Sequence, residues 1–129
     1  MAASQSDFTI MKVINFAEKF NLIHEFWNPK IAGELNGQQV KLAKVKGEFV
    51  WHDHANEDEL FIVLKGELNI EFRDKTVTIR EGEMIIVPKG VEHRPIAKEE
   101  VHLLLFEPAS TKHTGDVKCD LTVEKFDSI

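Results

Sequence analysis

The spacing of apolar residues along the chain changes character near residue 30. Before that point, Asn15 and, three residues later, Glu18 are typical of a helix N-cap and its capping-box partner, which predicts a short helix over residues 15–22. The apolar stripe of this helix consists of Phe16, Phe20 and Ile23. From Ile31 onward, apolar and polar residues alternate with the period of a half-buried β-strand. We therefore expect a short helix that docks on a β-structure.

Short strands then follow one another with turn signals between them. The predicted strands cover residues 32–35, 38–45, 49–54, 59–64, 67–73, 76–80, 84–87, 93–97 and 101–107. Asn36-Gly37 joins the first two, and this dipeptide favours a two-residue hairpin. Regularly spaced short strands separated by turns are typical of an all-β barrel or sandwich.

Some of these strands are apolar on both faces, namely residues 60–64, 84–87 and 103–106. One face of each strand can fill the inside of a barrel, whereas the other face needs a covering surface. We expect the helix and the C-terminal tail, residues 109–129, to cover part of that outer face. A homodimer that packs sheet on sheet is expected to cover the rest.

Composition narrows the class of protein. A chain of 129 residues with 43% hydrophobic and 29% charged residues suits one globular domain over residues 1–129. The net charge of −6 argues against a nucleic-acid partner. A single cysteine cannot form an internal disulfide, and no apolar run suits a signal peptide or a membrane span. The sequence thus favours a cytoplasmic protein with no membrane partner, and residues 1–7, small and polar, are expected to be a frayed tail.

Three histidines and one glutamate have the spacing of a metal site. His52 and His54, two residues apart on a predicted strand, point to the same face about 6.5–7 Å from each other. Glu59 follows five residues later, and His93 comes after a loop that contains proline and glycine. Three imidazole nitrogens and one carboxylate oxygen suit a divalent iron, manganese, zinc, nickel or copper ion. The sequence therefore predicts one divalent transition-metal ion per chain.

These four residues stand within two segments of regularly placed glycines and one proline. The first segment runs Gly47, His52-Asp53-His54, Glu59, Gly66, and the second runs Gly82, Pro88-Lys89-Gly90, His93. The arrangement resembles the paired motifs of the cupin superfamily, in particular its small single-domain microbial members, over residues 31–108. That resemblance implies a double-stranded β-helix (jelly-roll) barrel, with the three histidines and Glu59 as metal ligands and a homodimeric assembly. Two departures are that one residue is missing between Gly47 and His52, and that Ala97 stands where the family has asparagine.

Strand parity predicts the walls of a pocket beside the metal. If the four ligands point inward, so do five further residues, namely Val50, Phe61, Val63, Pro95 and Ala97. The three arginines of the chain, at positions 73, 80 and 94, then point outward. Phosphorylated ligands are usually held by such bidentate donors, so a phosphosugar substrate is disfavoured, although a lysine such as Lys41 could substitute.

The expected ligand set leaves two positions of an octahedral ion open to a small molecule. Iron would support oxygenase chemistry, whereas manganese, zinc or nickel would act as a Lewis acid for isomerase or lyase reactions. We expect a metal-dependent enzyme that acts on a small non-phosphorylated oxygen-bearing metabolite. The alternative is a non-catalytic cupin that senses or binds a ligand through its metal, and a purely structural metal comes last. The sequence identifies no general base inside the pocket, so the catalytic residues are unknown.

Other polar residues receive less specific expectations. Glu57 and Asp58 could replace Glu59 as the carboxylate ligand, but they are expected in a solvated loop. His102 is expected in the core or an interface, with a hydrogen bond to the metal site as the alternative. His24 and His113 are expected on the surface, and Cys119 is not expected to be a catalytic thiol.

Overall fold

A computed structural model describes residues 11–129 as an antiparallel β-barrel with one short helix; the tail expected over residues 1–7 lies outside this range. The elements are α1 (Phe16–Phe20), β1 (Lys30–Leu35), β2 (Gln38–Glu48), β3 (Glu59–Lys65), β4 (Glu67–Phe72), β5 (Thr76–Arg80), β6 (Met84–Val87) and β7 (His93–Pro108). The all-β class with a short N-terminal helix is confirmed. Within the described range, no helix has the length and apolar character needed to cross a membrane.

Strand β7 organises the barrel because it pairs with three other strands. It runs antiparallel to β2 along most of its length, to β4 through residues 93–96, and to β3 through residues 102–106. Ala97 lies opposite Gly47 and Val101 opposite Val45, so residues 98–100 bulge out against a single residue of β2. Such bulges bend a strand and let it change sheets. The expected division into strands 93–97 and 101–107 was wrong, since one bent strand covers both.

The predicted strand over residues 49–54 is also wrong. Four residue steps lead from Glu48 to His52, but only three separate their partners on β7, Ile96 and His93. The extra residue interrupts the ladder, and only an isolated bridge between His52 and His93 continues it. The segment remains extended and still carries both histidines into the barrel. The remaining predicted strands appear with ends shifted by no more than three residues.

The interior is filled by alternate residues of the strands. The main core cluster includes Val45, Val63, Leu68, Ile70 and Leu103, all almost fully buried. The same cluster reaches the ligand residues, since Phe49 and Phe61 contact His52 and His93, respectively.

Helix α1 covers part of the outside of the barrel. Asn15 caps it by accepting a hydrogen bond from the backbone N–H of Glu18 at 3.0 Å. Phe20 and Ile23 are buried against Ala32 and Leu42, whereas Phe16, expected on the same stripe, is exposed.

The C-terminal tail, residues 109–129, takes a different place from the one expected. Only Ile129 packs beside the helix cluster, and most of the tail crosses the open end of the barrel. The outer faces of β3, β6 and β7 consequently keep an apolar surface, which we call the outer apolar face: Leu60, Ile62, Met84, Ile86, Leu104 and Phe106. Met84 and Ile86 are more than half exposed, at 57% and 51%.

Candidate metal centre

Four buried side chains converge at the open end of the barrel. His52 and His54 come from the extended segment after β2, Glu59 opens β3, and His93 opens β7. Each residue offers one ligand atom, a ring nitrogen or a carboxylate oxygen. These four atoms all lie within 4.8 Å of one another. We call these four residues, all predicted as metal ligands from the sequence, the ligand cluster. All four are buried.

Backbone carbonyl groups orient two of the imidazole rings. The Nδ1 atoms of His52 and His93 lie 2.9 Å from the carbonyl oxygens of Val50 and Val91, respectively. A carbonyl oxygen can only accept, so Nδ1 of each ring carries the proton and donates. The lone pair of Nε2 is therefore available on both rings, as a metal ligand requires.

The atoms that face the centre have no protein partner. Within residues 11–129, nothing hydrogen-bonds to Nε2 of His54, Nε2 of His93 or Oε1 of Glu59. The two imidazole nitrogens stand 3.5 and 3.6 Å from Oε1 of Glu59, beyond ordinary hydrogen-bond length. Buried polar atoms without partners are costly. A shared cation would satisfy all of them together.

Electrostatics favours the protonation states that a metal needs. Burial, together with the neighbouring His93, lowers the pKa of His52 to about 4, so the ring is neutral at neutral pH. Burial alone would raise the pKa of Glu59, but the adjacent imidazoles of His54 and His93 hold it well below its usual range. Glu59 is therefore an ionised carboxylate, and His52 of the same cluster is a neutral imidazole.

The ligand cluster fits a divalent transition-metal ion. Such ions bind imidazole nitrogen and carboxylate oxygen at about 2.0–2.2 Å, so ligand atoms on opposite sides of an ion are about 4.2 Å apart. The ligand atoms are up to 4.8 Å apart, so side-chain shifts below about 1 Å would bring them to this distance. The donor set itself suits iron, manganese, zinc or nickel. The cluster could hold one such ion.

A small cavity lies on the barrel side of the cluster. Its volume is about 40 Å³, and His52 and Glu59 form part of its wall. Of the five residues predicted to line a pocket, Phe61 and Pro95 do so. Val63 and Ala97 are instead fully buried in the core, and Val50 packs against the core from outside it. The cavity is displaced from the predicted position, since its wall also includes Ala43 and Val45 of β2 and Leu103 and Leu105 of β7.

Two charged residues lie inside the barrel, where the sequence identified no general base. Glu107 lines the cavity, and Lys41, which is fully buried, has its Nζ 3.6 Å from Oε2 of Glu107. At that length the contact is an ion pair rather than a hydrogen bond. Burial and the nearby charge of Glu59 raise the pKa of Glu107. Strand parity could have placed both side chains inside the barrel, since Lys41 shares a face with Ala43, and Glu107 with Leu105.

His113 and Trp27 also line the cavity, although no sequence signal indicated this position. His113, expected on the surface, is half-buried, and burial lowers its pKa to about 4. The Trp27 ring stacks on Phe49 at 4.7 Å between centroids, and its indole N–H donates to the Lys46 carbonyl at 2.8 Å. Both residues reach the site through tertiary packing.

The remaining candidates lie elsewhere. Asp58 is exposed and accepts from the backbone N–H of Lys89, and Glu57 accepts from Ser110, so neither replaces Glu59. His102 stacks on the Phe20 ring and pairs with Glu100, and it makes no hydrogen bond to the ligand cluster among the described residues.

The other polar candidates lie away from the ligand cluster, on or near the surface. His24 is exposed, as expected, and Cys119 contacts Thr122. The three arginines form ion pairs with glutamates on the outside of the barrel, as their parity predicted. Neither cysteine nor arginine side chains line the cavity.

Comparisons with known proteins agree with this architecture. A family model described as the cupin domain matches residues 39–107, just over half of the chain. A crystal structure of a cupin-2 domain containing protein from Shewanella frigidimarina is 53% identical, with a TM-score of 0.75, over 78% of this chain and 98% of that one. Protein NMB1881 from Neisseria meningitidis is 36% identical, with a TM-score of 0.70, over 76% of this chain and 100% of that one. The Bacillus subtilis protein YdbB is 48% identical over 62 residues, 47% of this chain, and the match spans about half (55%) of the length of that relative.

Proposed function

The chain belongs to the cupin domain family, and from that premise we propose that the ligand cluster binds one divalent transition-metal ion. We further propose that the protein is a metal-dependent enzyme for a small, non-phosphorylated, oxygen-bearing metabolite. When bound, the ion supplies Lewis acidity or, if it is iron, redox chemistry. Fold alone does not assign a reaction, so the proposal rests on the site.

The observation that carries this proposal is the set of unpartnered polar atoms that converge at the cluster. Three imidazoles and a carboxylate use four positions of an octahedral ion and leave two for a ligand. The cavity beside His52 and Glu59 gives such a ligand a place to bind. Its wall is mostly aromatic and aliphatic, which excludes bulk water and strengthens polar interactions inside it.

Glu107 supports an enzyme over a simple binding protein. It places a second carboxyl group on the cavity wall, near Glu59 and the bound ligand that we propose. A carboxyl whose pKa is raised by burial is a common proton donor or acceptor in catalysis. The outward position of all three arginines favours a substrate without phosphate.

Elemental analysis of untagged protein tests the metal proposal. The expected result is about one transition-metal ion per chain in the wild type and far less in a His54→Ala variant. Absence of metal, together with failure of added iron, manganese, zinc and nickel to bind, would refute it. The small size of the cavity also favours the second candidate, a cupin that holds a ligand without turning it over. Binding of oxygen-bearing molecules without turnover would support that candidate.

We also propose that the protein forms a homodimer through the outer apolar face. Leu60 lies opposite both Ile86 and Phe106, so the apolar side chains are continuous across three strands. Helix α1 and Ile129 cover this face only on the side next to β2, where Leu104 packs against the helix cluster. A second copy of the chain would remove the exposed Met84 and Ile86 side chains from water.

A further inference from the structure

The tail of residues 109–129 is fixed at its two ends to the turn after β1 and to β1 itself. At its start, the backbone N–H of Ala109 donates to the carbonyl of Gly37 at 3.0 Å. At its end, Ile31 donates to Asp127 at 2.8 Å and accepts from Ile129 at 3.0 Å. The stretch between these anchors therefore has to cross the open end of the barrel.

The middle of the tail packs directly on the segment that carries two metal ligands. Gly115 has a φ of +59°, and a Cβ added there would lie 2.0 Å from the carbonyl oxygen of Asp53, between His52 and His54. Ser110 fastens the same region by donating to Glu57 at 2.9 Å. Only glycine allows so close a backbone approach.

This part of the tail separates two spaces that reach the ligand cluster. On the barrel side is the cavity of about 40 Å³, with His52, Glu59 and His113 in its wall. On the solvent side is a polar cleft of about 100 Å³, with His54 and Gly115 in its wall. The tail thus lies between the cavity and this cleft, and we call this part of it the partition.

His113 stands on the cavity side of this partition with a defined tautomer. Its Nδ1 accepts a hydrogen bond from the backbone N–H of Val123 at 2.9 Å, so the proton of the neutral ring is on Nε2. Within residues 11–129, no side chain or carbonyl accepts a hydrogen bond from that Nε2–H. The ring is held between Phe49 and Phe126, at centroid distances of 5.0 and 5.9 Å. The tail therefore adds one oriented N–H donor to a mostly apolar wall.

We propose that His113 is a ligand-positioning residue for small monocarboxylates. Such a ligand binds the metal and accepts a hydrogen bond from His113 Nε2–H, and the tail limits its size. This inference rests on the proposed metal function. A divalent ion with the Glu59 carboxylate carries one net positive charge, and the buried Lys41–Glu107 ion pair adds none, so one monoanion neutralises the site. A carboxylate has one oxygen for the ion and another for the donor.

The size of the cavity sets the size of the ligand. A water molecule needs about 10–15 Å³ by this measure, so a cavity of about 40 Å³ holds a molecule of about three or four non-hydrogen atoms. Acetate has that size, and its methyl group would meet the apolar wall. Benzoate is too large while the tail is in place.

Calorimetric titration of acetate into the Co²⁺-loaded protein tests the donor. His113→Phe keeps an aromatic ring between Phe49 and Phe126 but removes the N–H. We expect wild type to bind acetate, and His113→Phe to bind Co²⁺ as well as wild type but acetate at least tenfold more weakly. Should His113→Phe fail to fold, His113→Leu takes its place with the same expectation. Equal acetate affinity in wild type and the variant would overturn the role of His113.

Gly115→Ala tests the partition without changing His113. The added methyl group collides with the Asp53 carbonyl and should displace the tail, so that acetate binds at least tenfold more weakly and benzoate begins to bind. Gly82→Ala is the matched control, because Gly82 also has a positive φ, +83°, but a Cβ there meets nothing within 4 Å. Benzoate binding to the wild type, or unchanged ligand binding by Gly115→Ala, would overturn the size restriction.

The Co²⁺ titration separates failure of this inference from failure of the proposed function. If wild type does not bind Co²⁺, the metal site itself is refuted. If wild type binds Co²⁺ but not acetate, the monocarboxylate inference falls while the metal site stands. If His113→Phe loses Co²⁺ affinity, His113 acts on the metal centre and not on the ligand, which also contradicts the inference.

Discussion

Removal of the His93 side chain distinguishes a functional metal site from a structural one. His93 is fully buried at the start of β7, and its Nε2 faces the ligand cluster. His93→Ala removes one of four ligands, and we expect metal affinity to fall by at least about 100-fold, since even indirect partners of a ligand are worth 10–100-fold. The core cluster of Val63, Leu68 and Ile70 is untouched, so the barrel should remain folded at a cost of about 2–4 kcal/mol.

The size of the effect follows from linkage between binding and folding. Metal at 100 times its dissociation constant stabilises the wild type by about 2.7 kcal/mol, which for a domain of this size raises Tm by roughly 10 °C. At the same metal concentration, a variant with 100-fold weaker binding gains about 0.4 kcal/mol, or roughly 1–2 °C. Each protein is compared with and without metal, so the cost of the lost side chain cancels.

Thermal unfolding with chelator and with added metal supplies the measurement. His24→Ala is the matched control, because His24 is an exposed histidine outside the cluster, and it should show the full wild-type shift. A metal-induced shift in His93→Ala equal to that of the wild type would refute the assignment of His93 as a ligand. Complete unfolding of the wild type by chelator would instead indicate a structural metal, since binding energy would then be folding energy.

Three further predictions concern assembly, pH and the helix. Light scattering at tens of micromolar protein should report a dimer for the wild type and a monomer for Ile86→Asp. Val13→Asp, a change outside the outer apolar face, is the control and should remain dimeric. A monomeric wild type would contradict the proposed dimer. Because the folded-state pKa of His113, about 4, lies below its unfolded value of 6.5, its contribution to stability is complete above pH 6.5 and is lost as the pH falls toward 4. In urea unfolding between pH 6.5 and 4, the free energy of unfolding should therefore fall more for the metal-free wild type than for His113→Phe. An equal fall in both proteins would show that the His113 ring is not protected from protons. Asn15→Ala should cost about 1 kcal/mol by the same method, through loss of the cap on α1, and no change would show that tertiary contacts alone hold the helix.

The fold and the four cluster residues could be predicted because their signals are local. The Asn36-Gly37 turn has φ values of 52° and 79°, as the dipeptide implied, and the alternation of apolar residues placed most strands. The break in the strand after Glu48 could not be predicted in the same way. It depends on one extra residue between Glu48 and His52 relative to the paired part of β7. The register between two strands that are far apart in the chain cannot be predicted from the sequence of either strand alone.

Long-range placement explains what the sequence did not reveal about the cavity. Gln39 pairs with Glu107 and Lys41 with Leu105, so only the β2–β7 register brings Lys41 beside Glu107. Residues 109–129 have no strand or helix period, and their course across the barrel depends on anchors to the first strand. A histidine in such a segment gives no sign of whether it is buried, which is why His113 was placed on the surface.

The pairing of β7 with three earlier strands has a consequence for how the protein folds. Phe106 pairs with both Val40 and Leu60, and His93 with His52, so most of the barrel joins residues far apart in the chain. Such non-local topology slows folding, because loops must close before the contacts stabilise them. During synthesis, strands β2 to β6 leave the ribosome before the strand that closes the barrel, with apolar edges exposed. Nascent chains should therefore depend on chaperones until β7 emerges, and His93 joins the other metal ligands only at that last step.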